Sequence, residues 1–177
     1  MHYFFKFYCF VDKFDKSLIN SLSNNVSVIY RNYSKKNHLK TIENIKKICK
    51  KKGLKFYLSN NVKLAIKLNI DGAYIPSFNH NFNFNSFRLK NNFTLLGSAH
   101  SLKEIRIKER QKVQNIFLSP VFKNSKKKKH LGIYKFIKLS KLTKNNVVAL
   151  GGIKMTNLNT IRTINTFGIA SISLFQK

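Results

Sequence analysis

Tryptophan is absent from this chain of 177 residues, and acidic side chains number only six. Any metal site or carboxylate pair must therefore draw on Asp12, Asp15, Glu43, Asp71, Glu104 and Glu109. Glu43, Glu104 and Glu109 fall on predicted helix faces, Asp71 falls at a predicted helix-to-strand turn, and only Asp12 ends a predicted strand. A carboxylate-rich magnesium site is not expected from such a set. Cysteine is scarce as well: Cys9 and Cys49 have no CxxC partner and no histidine at zinc spacing, which reads as two structural thiols of a reducing cytoplasm. No run of about 18 apolar residues occurs, so no membrane-spanning helix is expected. The apolar start MHYFFKFYCFVDKF lacks a basic leading region and a small-residue cleavage site, and it reads as a first strand rather than a signal peptide.

Positive charge is what the chain has in excess. Lysine and arginine total 34 against the six acids, a net charge of +28. Such a balance favours polyanions, with nucleic acid and phosphorylated small molecules as the candidate classes. The basic residues are spread along the whole chain, are mostly lysine and sit in no recognition motif, so nucleic acid is possible but not the favoured partner. Lysine, asparagine, isoleucine and phenylalanine all have AT-rich codons, and compositional drift is the simplest origin of their joint excess. The length suits a single domain spanning residues 1–177 with a sizeable core.

The most informative stretch is VVALGGI, Val147 to Ile153. Its apolar run reads as a buried parallel strand, and the Gly-Gly pair as a tight turn where backbone closely approaches a ligand, typically a phosphate. Leu158, Ile161 and Ile164 follow at helical spacing within 154–167, and GIASISLF (168–175) reads as another strand, completing a βαβ unit. Six further strands are predicted upstream: Tyr3 to Val11, Val26 to Tyr30, Leu54 to Asn61, Gly72 to Ser77, Phe93 to His100 and Val113 to Phe122. Helices are expected over 17–22, over 38–52 with Leu39, Ile42, Ile45 and Ile48 on one face, and over 62–69, 102–112 and 133–142. Between Phe78 and Phe87 the pattern decays into FNHNFNFNSF, a poor helix. The expected fold is a shortened (β/α)8 TIM barrel with a degraded fourth helix and a missing eighth helix; an open doubly wound sheet is the alternative. The uncovered flank left by the missing helix would be an apolar patch, which makes a homo-oligomer plausible.

In such barrels the C-terminal strand ends carry the site. Here they present Asp12, Arg31 with Tyr33, Ser59 with Asn60 and Asn61, Ser77, Ser98 with His100, Lys126 and Lys127, Gly151 with Gly152, and Ile172 with Ser173. The set is cationic and rich in hydroxyls, which describes an anion pocket. His100 is its one histidine, a residue suited to shuttling protons at neutral pH. The lysine run Lys126 to Lys129 is a second polyanion feature, and RNA contact there would weaken steeply with salt.

The order of motifs resembles the thiamine phosphate synthase/TenI family over roughly residues 3–175: YRNYSK, FYLSNNVKLAI, DGAYIPS, GSAHSLKE, SPVFKNSKKKKHLG, VVALGGI and GIASISLF. The resemblance implies a thiamine-biosynthesis barrel that binds a thiazole phosphate. It acts either as a synthase joining a pyrimidine methyl diphosphate to that thiazole with magnesium, or as a TenI-type tautomerase moving a proton on the thiazole carboxylate phosphate. It also implies roles: Arg31 and Lys127 (or Lys126) at a diphosphate, Ser98 in the anion pocket, and Gly151, Gly152, Ile172 and Ser173 around the thiazole phosphate; Asn60, from its place at a strand end, is a further candidate for substrate binding. The positions where a synthase carries its magnesium acids read Ser59-Asn60 and Phe78-Asn79, and a further basic position reads Tyr33. These departures favour the metal-independent tautomerase, with no cofactor unless synthase activity brings Mg2+. A catalytically decayed barrel that binds phosphates or RNA is the remaining alternative.

Overall fold

The computed structural model describes residues 5–33, 39–123, 129–164 and 166–175. Eight strands alternate with helices: β1 (Lys6–Val11), α1 (Lys16–Ser21), β2 (Val26–Tyr30), α2 (Leu39–Lys52), β3 (Phe56–Ser59), α3 (Val62–Lys67), β4 (Gly72–Ile75), β5 (Thr94–Ala99), α4 (Leu102–Arg110), β6 (Asn115–Leu118), α5 (Gly132–Ser140), β7 (Asn146–Leu150), α6 (Leu158–Arg162) and β8 (Gly168–Ser171). All neighbours pair in parallel, and β1 pairs with both β2 and β8, which closes the barrel and rules out the open sheet. The fold is thus a (β/α)8 barrel.

Alternation along each strand divides the core in two. Cys9, Val28, Phe56, Ala73, Leu95, Ile116 and Ala149 point outward and are buried under the helices. Tyr8, Phe10, Ile29, Tyr57, Tyr74, Leu96, Phe117, Val148 and Ala170 point inward and fill the barrel. Five of those nine are aromatic. Phe117 meets Tyr8 and Tyr74 edge to face at 4.9 and 5.4 Å between ring centres, and Phe10 meets Tyr74 at 5.2 Å. This is a favourable geometry for ring quadrupoles, and it stacks a column of rings along the axis. At its closed end Asn115 donates to the Tyr8 hydroxyl and accepts from Asn146, so the phenol buried there is not left unpaired.

Several expectations need correction. β6 stops at Leu118 rather than Phe122; Pro120 has no N–H for a strand ladder, and the next segment turns to hydrogen-bond the end of β7 through Val121 N to Leu150 O and Phe122 N to Gly151 O. The buried face of α2 is Ile42, Ile45 and Cys49, whereas Leu39 at its first position is 43% exposed. The helix expected over 154–167 shrinks to α6 after a 3-10 turn, Met155–Asn157. Other expectations hold: in place of the fourth helix, expected to be degraded, the Asn/Phe-rich segment between β4 and β5 forms a single 3-10 turn, Asn83–Ser86, anchored by buried Phe84. Among the described residues no helix follows β8. No helix of the described residues is long and apolar enough to cross a membrane.

Candidate active site at the C-terminal barrel mouth

The strand ends surround a cavity of about 580 Å3. Nine of the residues expected at the strand ends line it: Arg31 and Tyr33 after β2, Ser77 after β4, Ser98 in β5 with His100 just beyond, Gly151 and Gly152 after β7, and Ile172 and Ser173 after β8. Asn60 lies apart, in a neighbouring hollow with Leu58, Asn61 and Leu64, where its Oδ1 accepts from Asn79 Nδ2 at 2.6 Å. Lys126 and Lys127 lie outside the described residues.

Tyr74, Ser119, Leu150, Lys154 and Ser171 also face the cavity, and none of these five was among the expected residues. For Ser119 the signal was Pro120, which ends β6 two residues after Leu118 and puts the strand's exposed end at the serine.

His100 is the best-defined group. Its Nδ1 lies 2.5 Å from the Ser119 carbonyl oxygen, which can only accept, so Nδ1 carries the ring proton. In the neutral ring Nε2 is then the basic nitrogen, and the Ser77 hydroxyl donates to it across 3.1 Å. Glu104, in the first turn of α4, accepts from the His100 backbone N–H at 2.7 Å, and Ser101 caps that helix. The ring is therefore held from both sides, and Ser77 lines the cavity beside it.

The glycine pair forms the opposite wall. Gly151 and Gly152 have φ of +93° and +69°, and the carbonyl of Gly152 accepts from Asn157. A side chain on Gly152 would meet the Phe122 carbonyl oxygen at 2.5 Å. Ser171 ties β8 to this wall by donating to the Ile153 carbonyl. Cations come from two places: Lys154, and Arg31, whose guanidinium sits 4.7 Å from the centre of the Phe10 ring. At the rim, Tyr33 meets the exposed Phe78 edge to face at 5.5 Å while its hydroxyl hydrogen-bonds Ser59.

None of the six carboxylates lines the cavity. Asp15 caps α1, Asp71 pairs with Lys55, Glu104 holds the His100 backbone, and Glu109 binds Arg106 and Thr143. Asp12 and Glu43 are exposed elsewhere. Hydroxyls, one imidazole and two cations make a donor set that does not suit magnesium, a hard cation that needs oxygen anions. Among the described residues no cluster of three metal-ligating side chains occurs.

A parallel eight-stranded barrel with a cationic, hydroxyl-lined cavity at its strand C-termini belongs to the large class of (β/α)8 barrels with sites built on their βα loops. Within that class the chain belongs to the thiamine monophosphate synthase (TMP-TENI) family, whose model matches residues 11–175. A curated relative from Aquifex aeolicus (strain VF5), named "Putative thiamine-phosphate synthase 2", is 27% identical over 144 residues, spanning 77% of this chain and 74% of that one. Among solved structures, thiamine phosphate pyrophosphorylase from Pyrococcus furiosus superposes with a TM-score of 0.77 at 18% identity, over 97% of this chain and 87% of that one. The corresponding protein of Bacteroides thetaiotaomicron gives 0.63 at 15% identity, over 96% and 83%. At these identities the structural matches speak for the fold alone.

Proposed function

We propose that this member of the family catalyses a metal-independent proton transfer on a phosphorylated thiazole, as a tautomerase. The observation that carries the reading is the His100 ring, with its proton fixed on Nδ1 by the Ser119 carbonyl and its basic Nε2 directed at Ser77 on the cavity wall. A ring held this way takes up a proton at Nε2 while Nδ1–H stays on its carbonyl, and that contact stabilises the imidazolium. Ser77 relays: its hydroxyl proton passes to Nε2 as its oxygen accepts a proton from the ligand, and the reverse transfer returns a proton to another ring atom. No group leaves, so no charge on a departing diphosphate has to be neutralised.

Arg31, Lys154 and the open backbone at Gly151 and Gly152 suit one phosphate monoester. Tyr33 and Phe78 at the rim suit a flat heterocycle. The lack of cavity carboxylates supports chemistry without magnesium. The substrates would then be phosphorylated thiazole carboxylates, and the protein a thiamine-biosynthesis isomerase.

The test is a calorimetric titration with the thiazole carboxylate phosphate, with and without magnesium, followed by NMR of solvent deuterium entering the thiazole. Binding indifferent to magnesium, with exchange that falls about 10²–10⁴-fold in His100→Ala, is the expected result. Exchange at the wild-type rate in His100→Ala sinks the tautomerase. Thiamine phosphate formed from thiazole phosphate and pyrimidine methyl diphosphate, in a magnesium-dependent way, would make the protein a synthase instead.

A further inference from the structure

Lys108 of α4 is fully buried, yet no carboxylate touches its ammonium. Its stem passes over Gly97 of β5, where an added Cβ would stand 2.9 Å from the Lys108 Cδ. Beyond that gap Nζ donates to the carbonyls of Pro76 and Asn79, at 2.8 and 2.7 Å, and to Gln111 Oε1 at 2.8 Å. Gln111, equally buried, donates from Nε2 to the carbonyls of Asn79 and Asn81 at 3.0 and 2.8 Å. All three carbonyls belong to the β4–β5 connection, the one whose helix has shrunk to a 3-10 turn. Buried carbonyls must find donors, and here two side chains from the following helix supply them.

Neutral donors would satisfy carbonyls at a smaller desolvation cost than a buried ammonium. The ammonium stands where its grip bears on the site: Pro76 and Asn79 bracket Ser77 and Phe78, and Ser77 is the hydroxyl on His100 Nε2. We propose that Lys108 is a positioning residue of the proton-transfer wall, holding the backbone on either side of Ser77 and so setting the Ser77–His100 hydrogen bond. Gly97 belongs to the device, because only a residue without Cβ leaves the lysine stem its path across β5. The proposal rests on the reading of His100 as the proton carrier.

The device has a pH signature. Burial pushes the Lys108 ammonium down to about 8, with Glu104 acting in the opposite direction. Glu104 lies one turn back on α4, with its carboxylate on the His100 backbone N–H. The gripped loop contributes carbonyls and an exposed His80, while Gly97 of β5 borders the stem with Val113, just ahead of β6, beside it. A neutral amine has two N–H groups for three acceptors, so the grip loosens as pH rises through about 8.

The experiment follows the ring nitrogens of His100 by long-range proton–nitrogen NMR in the full chain, from about pH 7.5 to about pH 10. The wild type is compared with Lys108→Met and Gly97→Ala, and His100→Asn assigns the signals. In the wild type we expect a ring protonated on Nδ1 at the lower pH, with an Nε2 shift that moves with a midpoint of about 8. In Lys108→Met that midpoint disappears and both nitrogens move toward the average of the two tautomers. Gly97→Ala keeps every donor and presses hardest on the stem, 2.9 Å from the Lys108 Cδ against 3.1 Å from the Val113 methyls, so it gives the same averaging and carries the test if Lys108→Met does not fold. His100 signals that stay at wild-type values in either folded variant overturn the proposal. The readout needs no turnover: a Lys108-dependent ring in a protein that exchanges no substrate proton would sink the tautomerase and leave the positioning intact.

Discussion

At Gly152 the backbone has φ +69°, and an added Cβ would lie 2.5 and 2.7 Å from the carbonyl oxygens of Phe122 and Lys123. Alanine there suffers both the left-handed backbone and a clash with main chain that cannot rotate away. We expect Gly152→Ala to lose about 1–3 kcal/mol, a fall in Tm of roughly 2–10 °C, together with weaker binding of inorganic phosphate. A thermal melt and a phosphate titration check it, and an unchanged melt would mean that the β6 loop moves aside freely. The glycine pair was legible because a strand that runs into two glycines has few other uses, and His100 because it is the one histidine at a strand end. Ser119 was hidden by a strand read four residues too long. Lys108 was hidden more deeply, since a lysine on an amphipathic helix reads as a solvated residue, and nothing nearby in sequence announces the carbonyls it meets 29 and 32 residues away. The two thiols are covered: burial pushes both Cys9 and Cys49 up to about 12, with Asp71 adding to the effect at Cys49.

Strands were the legible elements because a parallel strand is apolar on both faces, and β2, β3, β4, β6 and β8 are buried along their whole length. Helix ends were less so, because they depend on capping and on what the first turn meets. Leu39 belongs to the apolar pattern but opens α2 and remains exposed, while Cys49, omitted from the expected face, is buried. The short α3 is held by its cap, with Asn61 Oδ1 accepting from Leu64 N at 3.0 Å. Removing that acceptor in Asn61→Ala should cost about 1 kcal/mol and lower Tm by about 2–4 °C. Asn61→Asp should leave the melt close to wild type, because aspartate caps as well. Equal losses in both variants would place the role of Asn61 outside the cap.

Over the whole molecule the eight-fold alternation made the closed barrel readable, whereas the consequence of the charge depends on where the charges lie. Among the described residues two ion pairs, Lys55–Asp71 and Arg106–Glu109, set opposite charges together, and most of the net +28 repels itself across the surface. Screening should relieve that repulsion. Raising sodium chloride from about 0.05 to about 0.5 M shortens the screening length from about 14 to about 4 Å, and we expect Tm to rise by several degrees. A melt that falls with salt would show that attractive pairs outweigh the repulsion. The ring column along the barrel axis has a separate consequence, for light. With no indole in the chain, near-ultraviolet emission comes from seven tyrosines, and three of them, Tyr8, Tyr57 and Tyr74, are locked in that column. Loss of barrel packing should therefore be visible as a collapse of the near-ultraviolet circular dichroism. A tryptophan introduced as Phe78→Trp would be the only indole in this chain, its redder emission standing apart from the tyrosines and reporting occupancy of the mouth.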